Sequence, residues 1–310
     1  MIVCPECLNS RLKDQINNIL CLSCKKEYFK KNKFIDFTSS NSNNTEDIAN
    51  KLWGEDLFNK LFSTPKHYIN IKNEFQDDWR NFLKGKLIEI GCGSGSDTKY
   101  FSDFSNITHV TSIDIGKNTY NLYKYFKNRM NINIYRASAL SLPFSNNNFD
   151  ILYSYGVFHH TTNPKKCFEE AHRVLKNNGA MYIYLYSDHK NNLFKYCGIK
   201  IEKYMMFLMK KLSFRIQNII CFLLSPFMWL VFSLPSFLIK ILGFEEFAKK
   251  IPMNWGTHPF SLVNDLKDRL MAPINHRFTK NELYKMLDGI GFKNLKINEK
   301  STGIFLFCNK

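Results

Sequence analysis

One short run, Glu89-Ile90-Gly91-Cys92-Gly93-Ser94-Gly95, constrains the fold of this chain more than any other feature. It follows a β-rich segment at residues 86–90 and precedes a predicted helix at residues 97–104. Alternating glycines after a strand let the backbone approach a ligand closely, and the helix that follows offers free N–H groups. The run therefore predicts a ligand site at the end of a buried strand. Dinucleotide-binding folds favour Gly-x-Gly-x-x-Gly, a spacing that this run lacks.

Strands and helices are predicted to alternate from residue 85 onward. We expect strands at residues 86–90, 109–114, 132–135, 149–155 and 180–186, with helices between them at 97–104, 118–129 and 163–176. The pair Asn178-Gly179 is expected to end the last of these helices. A capping-box pattern, Thr279-Lys280-Asn281-Glu282, opens a final helix, and residues 293–299 and 302–308 alternate as a closing hairpin. This order predicts an α/β fold with a sheet of seven mostly parallel strands.

An acidic residue ends the second predicted strand. Asp114 follows Gly95 by 19 residues, and a carboxylate at this strand end can accept hydrogen bonds from both hydroxyls of a ribose. The alternative is that Asp114 caps a helix or stabilises a turn, since Ile115-Gly116 follows it.

Residues 85–186 resemble the methyltransferase family often labelled type 11, within the Rossmann-like class I fold. The resemblance is based on the glycine run, on Ser112-Ile113-Asp114-Ile115, and on later segments: Leu142-Pro143-Phe144, residues 148–152, residues 157–160 and residues 168–179. It implies S-adenosylmethionine (SAM) as the cofactor and methyl transfer as the reaction. We therefore expect an enzyme, a SAM-dependent methyltransferase.

The resemblance also assigns roles around the cofactor. Gly91, Gly93 and Gly95 would hold the methionine part, and Glu89 would face its ammonium group. Asp114 would bind the ribose and Ile115 a face of the adenine, while Ser138-Ala139 would meet the adenine edge. Family members commonly have Asp where this chain has Ser138, so this contact is expected to be weaker. Two further residues complete the predicted cofactor set, Cys92 and Tyr155.

Two adjacent histidines follow the fourth predicted strand. SAM carries its own leaving group, so methyl transfer needs alignment, and a base where the acceptor carries a proton. Histidine suits this task near neutral pH. We expect His159 or His160 to deprotonate or orient an acceptor hydroxyl; alternatively, the pair packs against the cofactor. Further along the chain, His276 lines the acceptor pocket or lies at the surface.

Four cysteines near the start of the chain have metal-ligand spacing. Cys4, Cys7, Cys21 and Cys24 form C-x2-C-x13-C-x2-C, a pattern typical of a closed tetrahedral zinc site. Residues 1–37 are predicted to be a structural zinc ribbon. They resemble the Trm112-like methyltransferase activator, which implies docking on the catalytic domain, contact with a partner, or RNA binding.

A long apolar stretch interrupts the second half of the chain. Residues 219–239 carry no charge, which is long enough to span a bilayer. Pro226 and Pro235 should break a helix there into pieces of about two turns. We therefore expect a lid over an apolar or lipid-linked acceptor, or an interfacial hairpin at a membrane surface. An ordinary helical subdomain buried against the sheet is the alternative.

The remaining divisions follow from composition. Residues 38–45 are predicted to be a linker, 46–84 helices, 85–189 the SAM-binding core, 190–275 the insert and 276–310 the end of the core. The net charge of +16 suits RNA or an anionic membrane, but a compositional bias toward Lys and Asn explains it equally well. Scattered cysteines suggest a cytoplasmic protein, peripheral at the inner face of a membrane.

Taken together, these patterns predict methyl transfer to an oxygen of a small or lipid-linked acceptor. Two alternatives remain open: a zinc-ribbon rRNA base methyltransferase, and a non-catalytic methyltransferase-like scaffold with weakened cofactor affinity at Ser138.

Overall fold

A computed structural model describes residues 1–38 and 67–310 of the chain. Most of the predicted linker, and the predicted helices up to residue 66, lie outside the described residues. The chain divides into two compact units. The first comprises Met1–Tyr186 and Lys280–Lys310, and the second Ser187–Thr279.

The first unit is built on one continuous 11-stranded sheet in the order β1-β2-β3-β4-β7-β6-β5-β8-β9-β11-β10. The strands are β1 Leu12–Asp14, β2 Asn18–Cys21, β3 Glu27–Lys31, β4 Phe34–Asp36, β5 Gly85–Ile90, β6 Ile107–Asp114, β7 Ile132–Arg136, β8 Phe149–Tyr155, β9 Leu175–Leu185, β10 Lys293–Glu299 and β11 Ile304–Asn309. Strands β5 to β9 pair in parallel, and β11 runs antiparallel between β9 and β10. The predicted α/β fold with seven mostly parallel strands is confirmed.

Helices flank this sheet at α1 Tyr68–Glu74, α2 Gln76–Phe82, α3 Ser96–Ser102, α4 Thr119–Phe126, α5 Pro164–Val174 and α11 Lys280–Ile290. Local sequence explains where α5 begins, since the Asn163 side chain accepts from the amide of Lys166 at 3.1 Å and Pro164 occupies the first turn. On one face of the sheet, Trp79 packs against Tyr182 at 5.2 Å and Phe101 against Tyr153 at 4.9 Å between ring centroids. This packing fixes the central strands, and therefore the position of the turns at their carboxyl ends.

One predicted boundary is wrong. The helix α5 ends at Val174, and β9 begins at Leu175 instead of after Asn178-Gly179. Leu175 is fully buried and pairs with Phe149, so tertiary packing draws the chain out of the helix early. The register then shifts, and Asn178 adopts a φ of +63° within the irregular part of the strand.

The four amino-terminal strands extend the sheet at its β7 edge. Strand β4 pairs in parallel with β7 through Asp36 and Arg136, whose side chains form an ion pair at 2.7 Å. The same guanidinium donates from Nε to the carbonyl oxygen of Ile115 at 2.9 Å. Phe34 adds an edge-to-face contact with Tyr120 at 5.2 Å. The amino-terminal segment therefore docks on the sheet instead of standing apart from it.

The second unit is helical, with α6 Leu193–Met209, α7 Phe214–Met228, α8 Leu234–Ile241, α9 Glu245–Ala248 and α10 Val263–Met271. A π-helical segment, Trp229–Ser233, joins α7 to α8, so that Phe214–Ile241 is one helix of 28 residues. By length and composition alone it could cross a membrane, with a mean hydropathy of 1.9 and 22% of its most apolar window buried.

The expectation that Pro226 and Pro235 break this stretch into short pieces is wrong. The π turn lies between them, and its wider hydrogen-bond ring accommodates a residue that cannot donate. Pro235 then falls in the first turn of α8, where a missing N–H has no cost.

Candidate active site

The glycine turn lies where the carboxyl ends of β5, β6 and β8 meet. Parallel pairing of Ile90 with Ile113 aligns the first two of these strand ends. The amide of Gly93 donates to one carboxylate oxygen of Asp114 at 3.0 Å, and the amide of Gly116 donates to the other at 2.8 Å. Asp114 therefore fastens the glycine turn to the loop that follows β6. Burial raises the pKa of Asp114, while these two amides and the charge of Arg136 lower it.

The glycines of the turn have different neighbours. A Cβ on Gly91 would come within 2.1 Å of Val157, and one on Gly95 within 2.7 Å of Leu122. A Cβ on Gly93 would meet nothing within 4 Å, although the residue has a φ of +48°. Gly156, at the end of β8, likewise faces open space. Gly91 and Gly95 are therefore required by packing, whereas Gly93 and Gly156 border a space that the methionine part of SAM fits.

Two buried carboxylates lie under the turn. Glu89 accepts hydrogen bonds from the hydroxyls of Thr98 and, at 2.7 Å, Ser112. Burial raises its pKa to about 8, and the nearby charge of Asp97 adds to the shift. Asp97 accepts from the hydroxyl of Tyr153 at 2.6 Å, and burial raises its pKa to about 6. Sequence reasoning missed Asp97, because an acidic residue in the first turn of a helix is common without any functional role.

The predicted adenine contacts follow β7. The amide of Ala137 donates to the carbonyl of Asp114 at 3.0 Å, which brings Ser138 and Ala139 beside the β6 end. The Ser138 hydroxyl accepts from the amide of Leu140 at 3.2 Å, so it helps to shape its own turn. Ile115 is half-buried. The structure thus brings Asp114, Ile115, Ser138 and Ala139 together around one set of strand ends.

An aromatic cluster lies at the ends of β8 and β9. His159 is fully buried and stacks on Tyr186, with ring centroids 4.0 Å apart. His160 is half-buried, 4.2 Å from the His159 ring and 5.8 Å from that of Tyr186. Tyr155 instead stacks on Tyr184 at 4.3 Å. Of the two histidines, His160 is the more accessible to an acceptor.

The four amino-terminal cysteines converge on one point. Their Sγ atoms lie within 4.8 Å of one another, with Cys4 and Cys24 at 3.5 Å and Cys7 and Cys21 at 3.6 Å. Four thiolates at about 2.3 Å from a tetrahedral zinc ion would be about 3.8 Å apart. The cluster is therefore able to bind a metal ion of this size.

The two kinds of glycine can be separated by substitution. Gly91→Ala should lower the melting temperature strongly, because its Cβ collides with Val157. Gly93→Ala should cost only about 1–2 kcal/mol from its left-handed backbone, yet weaken SAM binding at least about tenfold. Thermal melting and calorimetry with SAM measure the two effects. Wild-type SAM affinity in Gly93→Ala would mean that the open space does not hold the cofactor.

Stability should depend on pH through Glu89. Its folded pKa of about 8 exceeds the ordinary value of 4.5, so the folded state keeps a proton that the unfolded state has released. The resulting stabilisation is complete below pH 4.5 and is lost as pH rises toward 8, at up to about 1.4 kcal/mol per pH unit.

Urea unfolding between pH 6.5 and 8, above the pKa of Asp97, isolates this contribution. Glu89→Gln should flatten the slope, and Glu169→Gln, at a surface position of α5, should leave it unchanged. A slope that Glu89→Gln does not alter would assign the proton elsewhere.

Comparison with known proteins places the chain in a family. A family model described as a methyltransferase domain matches residues 88–183. The chain is similar to the sarcosine/dimethylglycine N-methyltransferase of Aphanothece halophytica, with 28% identity over 139 residues, 42% of this chain and 50% of that protein. It is also similar to the ubiquinone/menaquinone biosynthesis C-methyltransferase UbiE of Rickettsia felis, with 30% identity over 182 residues, 55% of this chain and 68% of that protein.

Among solved structures, a putative SAM-dependent methyltransferase from Methanococcus maripaludis aligns at 16% identity and a TM-score of 0.46, covering 88% of this chain and 97% of that one. The chain spans about half the length of the first curated relatives that it matches. The relatives with assigned activities are methyltransferases, and the one from Rickettsia felis is matched over more than two thirds of its length. The chain belongs to the class I SAM-dependent methyltransferases.

Proposed function

We propose that the enzyme transfers the methyl group of SAM to an oxygen of a small, lipid-soluble or lipid-linked acceptor. The observation that carries this proposal is the apolar character of the unit that follows β9. Its 28-residue helix is largely unburied, although it is the most apolar part of the described chain. The name of the Rickettsia felis relative, an enzyme of ubiquinone/menaquinone biosynthesis, supports the same class of acceptor.

The residues around the glycine turn suit the cofactor. SAM supplies a methyl group on a sulfonium, which leaves without further activation. Gly93 leaves room for its methionine part, and the Asp114 carboxylate, already held by two amides, has lone pairs available for the ribose hydroxyls. Ile115 and Ser138-Ala139 would hold the adenine.

We assign the base to His160. It is the less buried member of the pair, and His159, fixed by its stack on Tyr186, would orient it. A neutral imidazole at this strand end would accept the proton of an acceptor hydroxyl as the oxygen aligns with the methyl group.

Methyl-labelled SAM tests the acceptor class. The protein is incubated with a membrane lipid extract, a water-soluble extract and rRNA, and label should enter the lipid fraction as an O-methyl product identified by mass spectrometry. Label in rRNA would support the base methyltransferase instead. No transfer by a protein that binds SAM would favour the scaffold.

Substitution tests the base in the same assay. His160→Gln should lower kcat about a hundredfold and leave SAM affinity unchanged. The control is His109→Gln, an exposed histidine near the beginning of β6, at the opposite edge of the sheet from the turn. Equal activities of these two variants would remove His160 from the mechanism.

We also propose that the cysteine cluster holds one structural Zn²⁺. Four thiolate ligands close the coordination shell, and a ribbon of this size folds because of its metal. The ion would then hold β4 against β7 and so support the Asp36–Arg136 ion pair.

Metal analysis of the purified protein should give one zinc per chain. Cys7→Ser should lose the ion and melt at a lower temperature, because Phe34 then loses its fixed support. Cys197→Ser removes an exposed cysteine of the other unit and should keep both zinc and stability. A metal-free protein that melts normally, or a Cys7–Cys21 disulfide in its mass spectrum, would contradict the assignment.

A further inference from the structure

The long helix of the second unit turns its largest side chains outward. Six residues at helical spacing along Phe214–Ile241 are 51% to 65% exposed and form what we call the apolar face: Phe222, Leu223, Phe227, Leu230, Phe237 and Leu238. Monomeric proteins in water rarely expose a contiguous surface of this kind. The surroundings of this face in the working enzyme are therefore apolar.

The inner side of the same helix has the opposite character. Cys221, Ser225, Ser233 and Ser236 are buried. The serine hydroxyls donate to the backbone carbonyls of Pro259 (2.8 Å), Met253 and Ala248 (3.0 Å) respectively. Small polar residues thus pack against the protein while bulky apolar residues face away from it. This pattern is the reverse of an amphipathic helix in water, and it is the pattern of a helix whose outer side contacts hydrocarbon.

Cations border the apolar face. Lys210, Lys211 and Arg215 lie in and just after the turn between α6 and α7, all exposed, and within the described part of the chain none of them pairs with a carboxylate. Lys211 lies 4.6 Å from the centre of the exposed Phe207 ring, so charge and apolar surface are side by side. The whole unit has thirteen Lys and Arg against six Asp and Glu. An apolar face with a basic border complements an anionic lipid surface.

Packing within the unit argues against a helix that spans the bilayer. The inner side of α7 packs on α10, Val263–Met271, which carries Asp265, Lys267, Asp268 and Arg269. A charged helix at that depth would be placed in hydrocarbon if α7 crossed the membrane. Lying in the plane of the interface, α7 and α8 put only their apolar face into lipid and leave α10 on the aqueous side.

We infer that the Ser187–Thr279 unit docks on an anionic phospholipid bilayer, with Phe214–Ile241 parallel to the surface and the apolar face inserted. Lys210, Lys211 and Arg215 contact the headgroups. The inference is independent of the proposed acceptor, because docking requires neither a substrate nor turnover. It agrees with the predicted position at the inner face of a membrane, where anionic lipids are abundant.

Vesicle flotation with the full chain tests this inference. The protein should float with vesicles of phosphatidylcholine mixed with phosphatidylglycerol, and much less with phosphatidylcholine alone. Phe222→Ser combined with Leu223→Ser should weaken binding to the mixed vesicles at least about tenfold. Replacing Lys210, Lys211 and Arg215 together by Gln should weaken it about a hundredfold and remove the preference for phosphatidylglycerol.

A matched control replaces two exposed apolar residues of the other unit, Ile16→Ser and Met130→Ser, which are 91% and 85% exposed. This variant should float like the wild type. SAM binding, measured for every variant, shows that the fold is intact and keeps this result separate from the identity of the acceptor. Wild-type protein that stays at the bottom of the gradient with both vesicle types would overturn the inference.

Two other occupants of the face give different results. A spanning helix would stay with the vesicles after an alkaline carbonate wash, whereas an interfacial one is released. A second copy of the chain would appear by light scattering as a dimer that the Phe222→Ser, Leu223→Ser variant dissociates, with no vesicle binding. Retention after the wash, or such a dimer, contradicts in-plane docking.

Discussion

The carboxylate of Asp114 is the point on which the rest of the site depends. It accepts the amide of Gly93 on one side and that of Gly116 on the other, and so fixes two loops that neighbouring strands would otherwise leave separate. Through the next residue, Ile115, the same loop is held by Arg136, and Arg136 is held by Asp36 of the amino-terminal strands. A single chain of polar contacts thus runs from the ribbon to the cofactor turn.

Burial of acidic groups beneath the turn has an energetic cost. Glu89 and Asp97 occupy adjacent positions in the interior, and each raises the cost of ionising the other. Well-packed apolar residues would stabilise the fold better there. Natural proteins keep such conflicts mainly where function requires them, and this agrees with a site built to receive the positive charge of SAM.

Sequence reasoning succeeded where the determining interactions are local. The glycine spacing, the strand that precedes it and Asp114 at the next strand end are all readable within short windows, and the parallel sheet follows from their order. It failed where distant residues decide. Nothing in the sequence near Asp97 indicates that it lies beside Glu89, and Leu175 joins a strand because it pairs with Phe149. The docking of β4 on β7 depends on Asp36 and Arg136, one hundred positions apart. Pro226 and Pro235 were misjudged because the π turn between them cannot be recognised from proline positions alone.

The attachment of the ribbon to the same polypeptide changes how its docking responds to conditions. A separate subunit that covered the β7 edge would dissociate on dilution, and several enzymes could compete for it. Here the ribbon is tethered, so its effective concentration at that edge is set by the connecting chain and does not fall when the protein is scarce. The exposed strand edge that would otherwise recruit other chains is also permanently capped. Such an enzyme keeps its sheet complete at any expression level.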